Sequence, residues 1–225
     1  MKKKRTSRLP RTKTLLVDDH SIVRQGLRRL LESEPDFEVC GEAPDGPAAL
    51  TLASIHKPDI AVVDIGLEGM NGLDLIKNLK ERRPGILILV VSMYDEQIYA
   101  ERALRAGAKG YLMKKESAEK IVGALRKIRE GKLFLSEAVK EKILDRVGGS
   151  PLKGEKNPVD RLSDRELEVF QLIGRGFKTG EVAGKLNLGI KTVESYREQI
   201  KIKLALESAS ELVRYAIGWV HNSSS

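Results

Sequence analysis

Five short apolar runs, each followed by a longer amphipathic stretch, set the strongest limit on what this chain can become. They are TLLVDD (14–19), FEVCGEA (37–43), DIAVVD (59–64), ILILVVS (86–92) and KGYLM (109–113). Short runs dominated by aliphatic residues suit strands buried on both faces, as in a parallel sheet covered by helices. The segments between them place apolar residues at helical spacing: Ile22, Leu27, Leu30 and Leu31 in the first, Leu73, Ile76 and Leu79 in the third, Ile121, Leu125 and Ile128 in the fifth. Five strand–helix units in order predict an α/β domain over 13–130, with a five-stranded, doubly wound parallel sheet and right-handed crossovers.

Beyond residue 130 the pattern changes. GKLFLSEAVKEKILDRV (131–147) reads as a helical extension and GGSPLKGEKNPVD (148–160) as a linker, rich in Gly, Pro, Ser and Lys with no apolar period. From 161 to 225 the signal is all helical. Ser163 and Glu166 form a capping box ahead of Leu167, Phe170 and Ile173. Further helices are predicted over Thr179–Leu186, Ile190–Leu204 and Ser208–Val220, with a tight turn at Asn187-Leu188-Gly189. A small four-helix domain thus follows the α/β domain.

The net charge of +8 does not by itself argue for nucleic acid, because its distribution is uneven. Residues 1–14 hold seven Lys/Arg and no acid, whereas 15–147 sum to −1 and 148–225 to +2. The basic head over 1–12 reads as a disordered tail, with a screened contact to DNA as its other reading. The charged stretch MKKKRTSRLPRTKT (1–14) is followed only by LLV before two aspartates, too short for the apolar core of a signal peptide. No run approaches the ~20 apolar residues of a membrane span. With a single cysteine, Cys40, the chain is expected to be cytoplasmic.

In a doubly wound sheet, ligands bind beyond the carboxyl ends of the strands where the strand order reverses. Asp18 and Asp19 end the first run and Asp64 ends the third, so three carboxylates are expected to converge there. Such a group repels itself and demands a hard divalent cation, Mg²⁺ above all. With the charge neutralised, one carboxylate can attack a phosphoryl group. Ser92 after the fourth run and Lys114 after the fifth add a hydroxyl and an ammonium for the phosphoryl oxygens. Singly, each has an ordinary explanation as a helix cap, loop serine or surface lysine. Five of them at the ends of four strands do not. His20, His56 and His221 are too scattered in sequence to suggest a metal site.

On LLVDDH, VVDIGLEGMNG, VSMY and GYLMKK, residues 13–130 resemble the flavodoxin-like receiver domain of bacterial two-component systems. The resemblance implies that Asp64 is the phosphoacceptor. Mg²⁺ would be held by Asp19, Asp64 and the carbonyl of Gly66, with Asp18 acting through water. Ser92 and Lys114 would bind the phosphoryl group, and Ser92 and Tyr111 would form the switch. A sensor histidine kinase would be the donor. Glu68 and Ser21 stand where the family commonly has proline. Gly66 and Tyr94 flank the path of a hydrolytic water.

LSDRELEVFQLIGRGFKTGEVAGKLNLGIKTVESYREQIKIKL (162–204) resembles the helix-turn-helix domain of the NarL/FixJ/LuxR group. Independently of that likeness, Val193, Ile200 and Leu204 share one face of the third helix of this domain and Lys191, Glu194, Ser195 and Glu198 the other, as a recognition helix requires. Lys191, Thr192, Tyr196, Arg197 and Lys201 are expected at phosphates, and Glu194, Ser195 and Glu198 at base edges. Gly189 stands at the helix start in place of the group's usual serine cap. Leu212, Val213, Ala216, Ile217 and Val220 on the last helix exceed the apolar surface one small domain needs, and are candidates for pairing with a second copy.

Together these features predict a DNA-binding transcriptional response regulator, a homodimer when active, whose only catalysis is its own aspartyl phosphorylation and dephosphorylation. The alternative is a phosphorylation-independent DNA-binding regulator whose receiver serves dimerisation or ligand sensing. An aspartate-nucleophile phosphatase fits less well, since the position two after the nucleophile is Gly66 rather than an acid. A nucleotide-binding domain fits less well still, since Asp18-Asp19-His20 stands where a glycine-rich loop would be.

Overall fold

The computed structural model describes residues 11–147 and 158–223, so most of the predicted basic head and of the 148–160 linker lies outside the described residues. The first ten elements alternate: β1 (Thr12–Val17), α1 (Ser21–Ser33), β2 (Phe37–Ala43), α2 (Gly46–His56), β3 (Ile60–Val63), α3 (Gly72–Arg82), β4 (Leu87–Ser92), α4 (Glu96–Ala106), β5 (Gly110–Met113) and α5 (Ala118–Arg129). The strands form one parallel sheet in the order β2-β1-β3-β4-β5. The order reverses between β1 and β3, where the acidic residues were expected.

Side chains along each strand alternate between two cores. Leu15 and Val17 face α2, α3 and α4, whereas Leu16 faces α1 and α5 with Leu27, Leu31, Leu125 and Ile128. Ile22 does not join them. It is 83% exposed, and Val23 packs in its place. The stripe on α1 is 23, 27, 30 and 31; a residue five before Leu27 falls ~140° away on a 3.6-residue helix.

The chain after α5 is not helical at once. Phe134 lies beside Gly110 as a short parallel bridge, with Tyr111 N–H donating to the Phe134 carbonyl at 3.0 Å. This covers the β5 edge before α6 (Glu137–Val147) packs on α4. The helical extension read over 131–147 is therefore part edge segment, part helix.

A single 3₁₀ turn, Pro158–Arg161, opens the second domain, followed by α7 (Asp164–Gly174), α8 (Thr179–Leu186), α9 (Ile190–Leu204) and α10 (Ala209–Ser223). The Ser163–Glu166 capping box is present in both directions. At the α8–α9 turn the left-handed residue is Asn187, φ 51°, and Gly189 has an ordinary φ of −70°. Asparagine tolerates that conformation, so the turn does not depend on the glycine. No helix among the described residues is long and apolar enough to cross a membrane.

The helical domain docks on the α3–α4 side of the sheet domain, and the apolar cluster there runs on into it. Tyr99 donates its hydroxyl to Gln171 Oε1 at 2.8 Å, both side chains buried. Arg102 reaches the Leu162 carbonyl at 2.8 Å and Asp164 at 3.0 Å. Arg165 binds the Gly69 carbonyl at 2.9 Å, and Asn71, whose own oxygen caps α3, donates to Glu168 at 3.2 Å.

Candidate functional site

β1 and β3 are adjacent and in register through Val17 and Val63, which brings the residues that follow them side by side; Asp64 N–H donates to the Val17 carbonyl at 2.9 Å. β4 and β5 continue the register, so Ser92 and Lys114 arrive on the same edge. The loop after β3 turns tightly back over this edge. A Cβ on Gly72 would fall 2.3 Å from the Asp64 carbonyl oxygen, so only glycine lets the start of α3 approach.

Asp64 is 4% exposed, and its two oxygens have separate partners. Oδ1 accepts from the Ser92 hydroxyl at 2.6 Å and from Gly66 N–H at 3.1 Å; Oδ2 accepts from Lys114 Nζ at 2.7 Å. Lys114 also contacts Asp18 Oδ2 at 2.7 Å. Burial raises the Asp18 carboxyl above its usual range, with the Asp64 charge adding to it and the Lys114 hydrogen bond opposing. Burial works against the Lys114 ammonium, but the Asp64 and Asp18 carboxylates outweigh it and its pKa is raised. The ammonium stays charged, and two carboxylates share it.

Asp19 sits at the rim. Its Oδ1 is buried and accepts no hydrogen bond, although His20 Nδ1 lies 2.6 Å away. One ligand atom from each of Asp18, Asp19, His20 and Asp64 falls within 4.8 Å of the others. A buried carboxylate oxygen left outside the hydrogen-bond network, with an imidazole nitrogen and two further carboxylates beside it, fits a cation with oxygen ligands. The fold thus corrects the dismissal of all three histidines: His20 joins the acidic cluster, while His56 and His221 are on α2 and α10.

Tyr111 is buried and donates its hydroxyl to the Tyr94 carbonyl at 2.8 Å. Burial, reinforced by the Asp64 charge, pushes its pKa well above the ordinary tyrosine value, so it remains a donor. The Tyr94 ring stacks on Tyr99 at 4.9 Å, and the Arg175 guanidinium of the helical domain lies 5.4 Å above it.

On α9, Val193, Ile200 and Leu204 are buried as expected, and Lys191, Thr192, Glu194, Ser195 and Glu198 are exposed. Tyr196, Arg197 and Lys201 are half-covered, with Lys201 paired to Glu198 at 2.9 Å. Two of the α10 residues expected to pair with a second copy do not lie on a surface. Leu212 and Ala216 are wholly buried against α7, where Gly174 touches the Ala216 backbone. Ile217 is exposed, and Val213 and Val220 are half-buried. The excess apolar surface of α10 is mostly spent on its own domain, through Phe170 packing on Tyr215 and Trp219.

Residues 14–126 match the family model of the response regulator receiver domain, and 160–216 that of the bacterial regulatory proteins of the luxR family. The chain belongs to the luxR-type response regulators. It is 34% identical over 209 residues to the oxygen regulatory protein NreC of Staphylococcus carnosus, covering 91% of this chain and 96% of that protein. Against NreC of Staphylococcus haemolyticus the identity is 35% over 215 residues, with the same coverage. Among solved structures it is similar to RcsB from Salmonella enterica serovar Typhimurium bound to the rprA promoter in the presence of the phosphomimetic BeF3⁻. There the TM-score is 0.64 at 26% identity, over 92% of this chain and 98% of that one. A LuxR-family response regulator from Aurantimonas sp. SI85-9A1 gives a TM-score of 0.57 at 32% identity, covering 62% of this chain and 99% of its own.

The interdomain residues Asn71, Tyr99, Arg102, Glu168, Gln171 and Arg175 escaped the sequence pattern. No local signal marks them: α7 is buried from Glu166 to Gly174 on every side, polar residues included, and that burial comes from partners beyond its own small domain.

Proposed function

We propose that this regulator is switched by phosphorylation of Asp64, with a sensor histidine kinase as donor, and that the active form binds DNA as a homodimer. The observation that carries the reading is the buried Asp64 carboxylate held by Ser92 on one oxygen and Lys114 on the other, beside the Asp18 and Asp19 carboxylates. Mg²⁺ would be held by Asp19, Asp64 and the Gly66 carbonyl, with Asp18 through water, and would supply charge neutralisation at the carboxylates and the phosphoryl oxygens.

The chain's own groups do the rest. An Asp64 oxygen forms the bond to phosphorus as the bond from phosphorus to the donor nitrogen breaks, and the imidazole leaves. Ser92 and Lys114 are already aimed at that carboxylate, so each exchanges a carboxylate oxygen for a phosphoryl oxygen with little movement. Moving the Ser92 hydroxyl alters its contact with the Tyr94 backbone at 3.4 Å, and Tyr94 also receives the Tyr111 hydroxyl. The loop before α4, against which the helical domain rests, is thereby biased. On α9, Glu194, Ser195 and Glu198 read base edges, and Lys191, Thr192, Tyr196, Arg197 and Lys201 bind phosphates. The protein turns over no external substrate and acts in the cytoplasm.

The test is intact mass after incubation with acetyl phosphate and Mg²⁺. Wild type is expected to gain one phosphoryl adduct, and Asp64→Asn or added EDTA none. No adduct on folded wild type would point instead to a phosphorylation-independent regulator.

A further inference from the structure

The docked helical domain leaves its DNA-reading face open, since Lys191, Glu194, Ser195 and Glu198 are exposed. What it covers is the other site. α7 and α8 lie over the acidic edge, and a cleft of about 440 Å³ remains between the domains. Its floor includes Asp64, Ser92 and Lys114; its roof includes Arg175 from the end of α7 and Lys185 from α8.

We propose that this cleft binds a small acyl phosphate, with Arg175 and Lys185 of the DNA-binding domain as the cations that hold its phosphoryl group before transfer to Asp64. This rests on Asp64 being the phosphoacceptor.

Charge is the first argument. The floor is acidic, and Lys114 is already engaged by Asp18 and Asp64, each at 2.7 Å. With Mg²⁺ offsetting the carboxylates of the floor, a phosphate dianion entering from solvent meets further positive charge at the roof, from Arg175 and Lys185. Neither Arg175 nor Lys185 is in an ion pair with a carboxylate of the described residues; each is held by an aromatic ring instead. Arg175 lies 5.4 Å over Tyr94 and Lys185 4.8 Å over Phe177. Cations placed by ring stacking keep their donors available for an anion.

Size is the second argument. A cleft of this volume lies within the range of small-ligand pockets. A protein-borne histidine would have to bring its own backbone to the acidic edge, where Leu172 and Leu186 already stand. Small donors are thus served by the docked arrangement, and protein donors by its opening. The transfer balances without a co-reactant: an Asp64 oxygen bonds to phosphorus, the bond from phosphorus to the acyl oxygen breaks, and a carboxylate leaves.

The experiment titrates acetyl phosphate against the full-length protein with Mg²⁺ at constant ionic strength, reading initial rates of adduct formation by intact mass. Arg175→Ala/Lys185→Ala is expected to raise the half-saturating concentration at least fivefold, and Arg175→Lys to retain most of the wild-type value. Lys178→Ala, which removes an exposed cation of the same domain outside the cleft, should leave it unchanged. Arg175 and Lys185 are exposed, and the emission of Trp219, the single tryptophan, confirms that each variant is folded. An unchanged half-saturation in the double variant overturns the proposal. So does a change confined to the rate of adduct loss after the donor is removed, which would make the pair a clamp on phosphorylated Asp64. No adduct on wild type would sink the Asp64 reading itself, a result distinct from either.

Discussion

The acidic pocket and the reading face of α9 are built by opposite means. The pocket takes side chains from four strand ends, buries most of them and ties them together at 2.6 to 2.7 Å: Ser92 and Lys114 to Asp64, Lys114 to Asp18. The reading face takes all its side chains from one helix and leaves most of them in water, with Glu198 and Lys201 paired at 2.9 Å. Among Asp18, Asp64, Ser92 and Lys114 each polar group satisfies another, so removing one strands its partner in a low-dielectric site. On α9 a residue can change without disturbing the core beneath it.

The contrast can be broken in several ways. The largest effect is expected from Lys114→Ala, which removes the one cation shared by Asp18 and Asp64. Initial rates of adduct formation from acetyl phosphate should fall about a hundredfold or more, the usual loss for one preorganised charge-stabilising group. A loss under threefold would mean that the pocket tolerates change as the α9 face does.

Next comes α10, where the two kinds of position lie side by side. Leu212→Ala should cost about 2–5 kcal/mol of stability in urea unfolding. Ile217→Ser should cost less than about 0.5 kcal/mol, while weakening any self-association seen by sedentimetric means such as analytical ultracentrifugation. Equal costs at both sites would contradict the burial of Leu212 and the exposure of Ile217.

Within α9, Lys191→Ala and Glu194→Ala should differ in kind. The first is expected to weaken binding to all sequences alike and reduce the salt slope by about 1, the second to change base preference by about 1–3 kcal/mol at one position. Fluorescence anisotropy on operator and scrambled duplexes over a salt series separates the two.

The smallest effect is a pH dependence of domain docking through Glu168. Burial raises its carboxyl above the usual 4.5, against the opposing hydrogen bond from Arg165. An acid whose pKa is raised in the docked state supports docking fully below 4.5, and that support is lost as pH rises through the raised value. The radius of gyration from small-angle scattering should therefore grow over that window in wild type and stay flat in Glu168→Gln.

Much of both sites was legible in the chain. Asp18, Asp19, Asp64, Ser92 and Lys114 stood at the ends of apolar runs, and a parallel sheet sends all such ends to one edge. The α9 faces followed from helical period alone. The misses share a cause. Ile22 was assigned to the core of α1 although it lies off the stripe by more than a third of a turn. Leu212 and Ala216 looked surplus because nothing local says that α7 needs covering there. His20 looked isolated because its ligand neighbours include Asp64, 44 positions away.

By itself the sequence determined the order and kind of the elements, the two-domain division and the residues each strand delivers to the acidic edge. Those properties depend on periods of two and 3.6 and on strand ends, all of them local. Only the tertiary structure decided that Asn187 rather than Gly189 takes the left-handed turn, that α10 spends its apolar face on α7, and that the helical domain roofs the pocket with Arg175 and Lys185. Those depend on the fit of surfaces far apart in the chain, where packing and desolvation act between partners that no local pattern pairs.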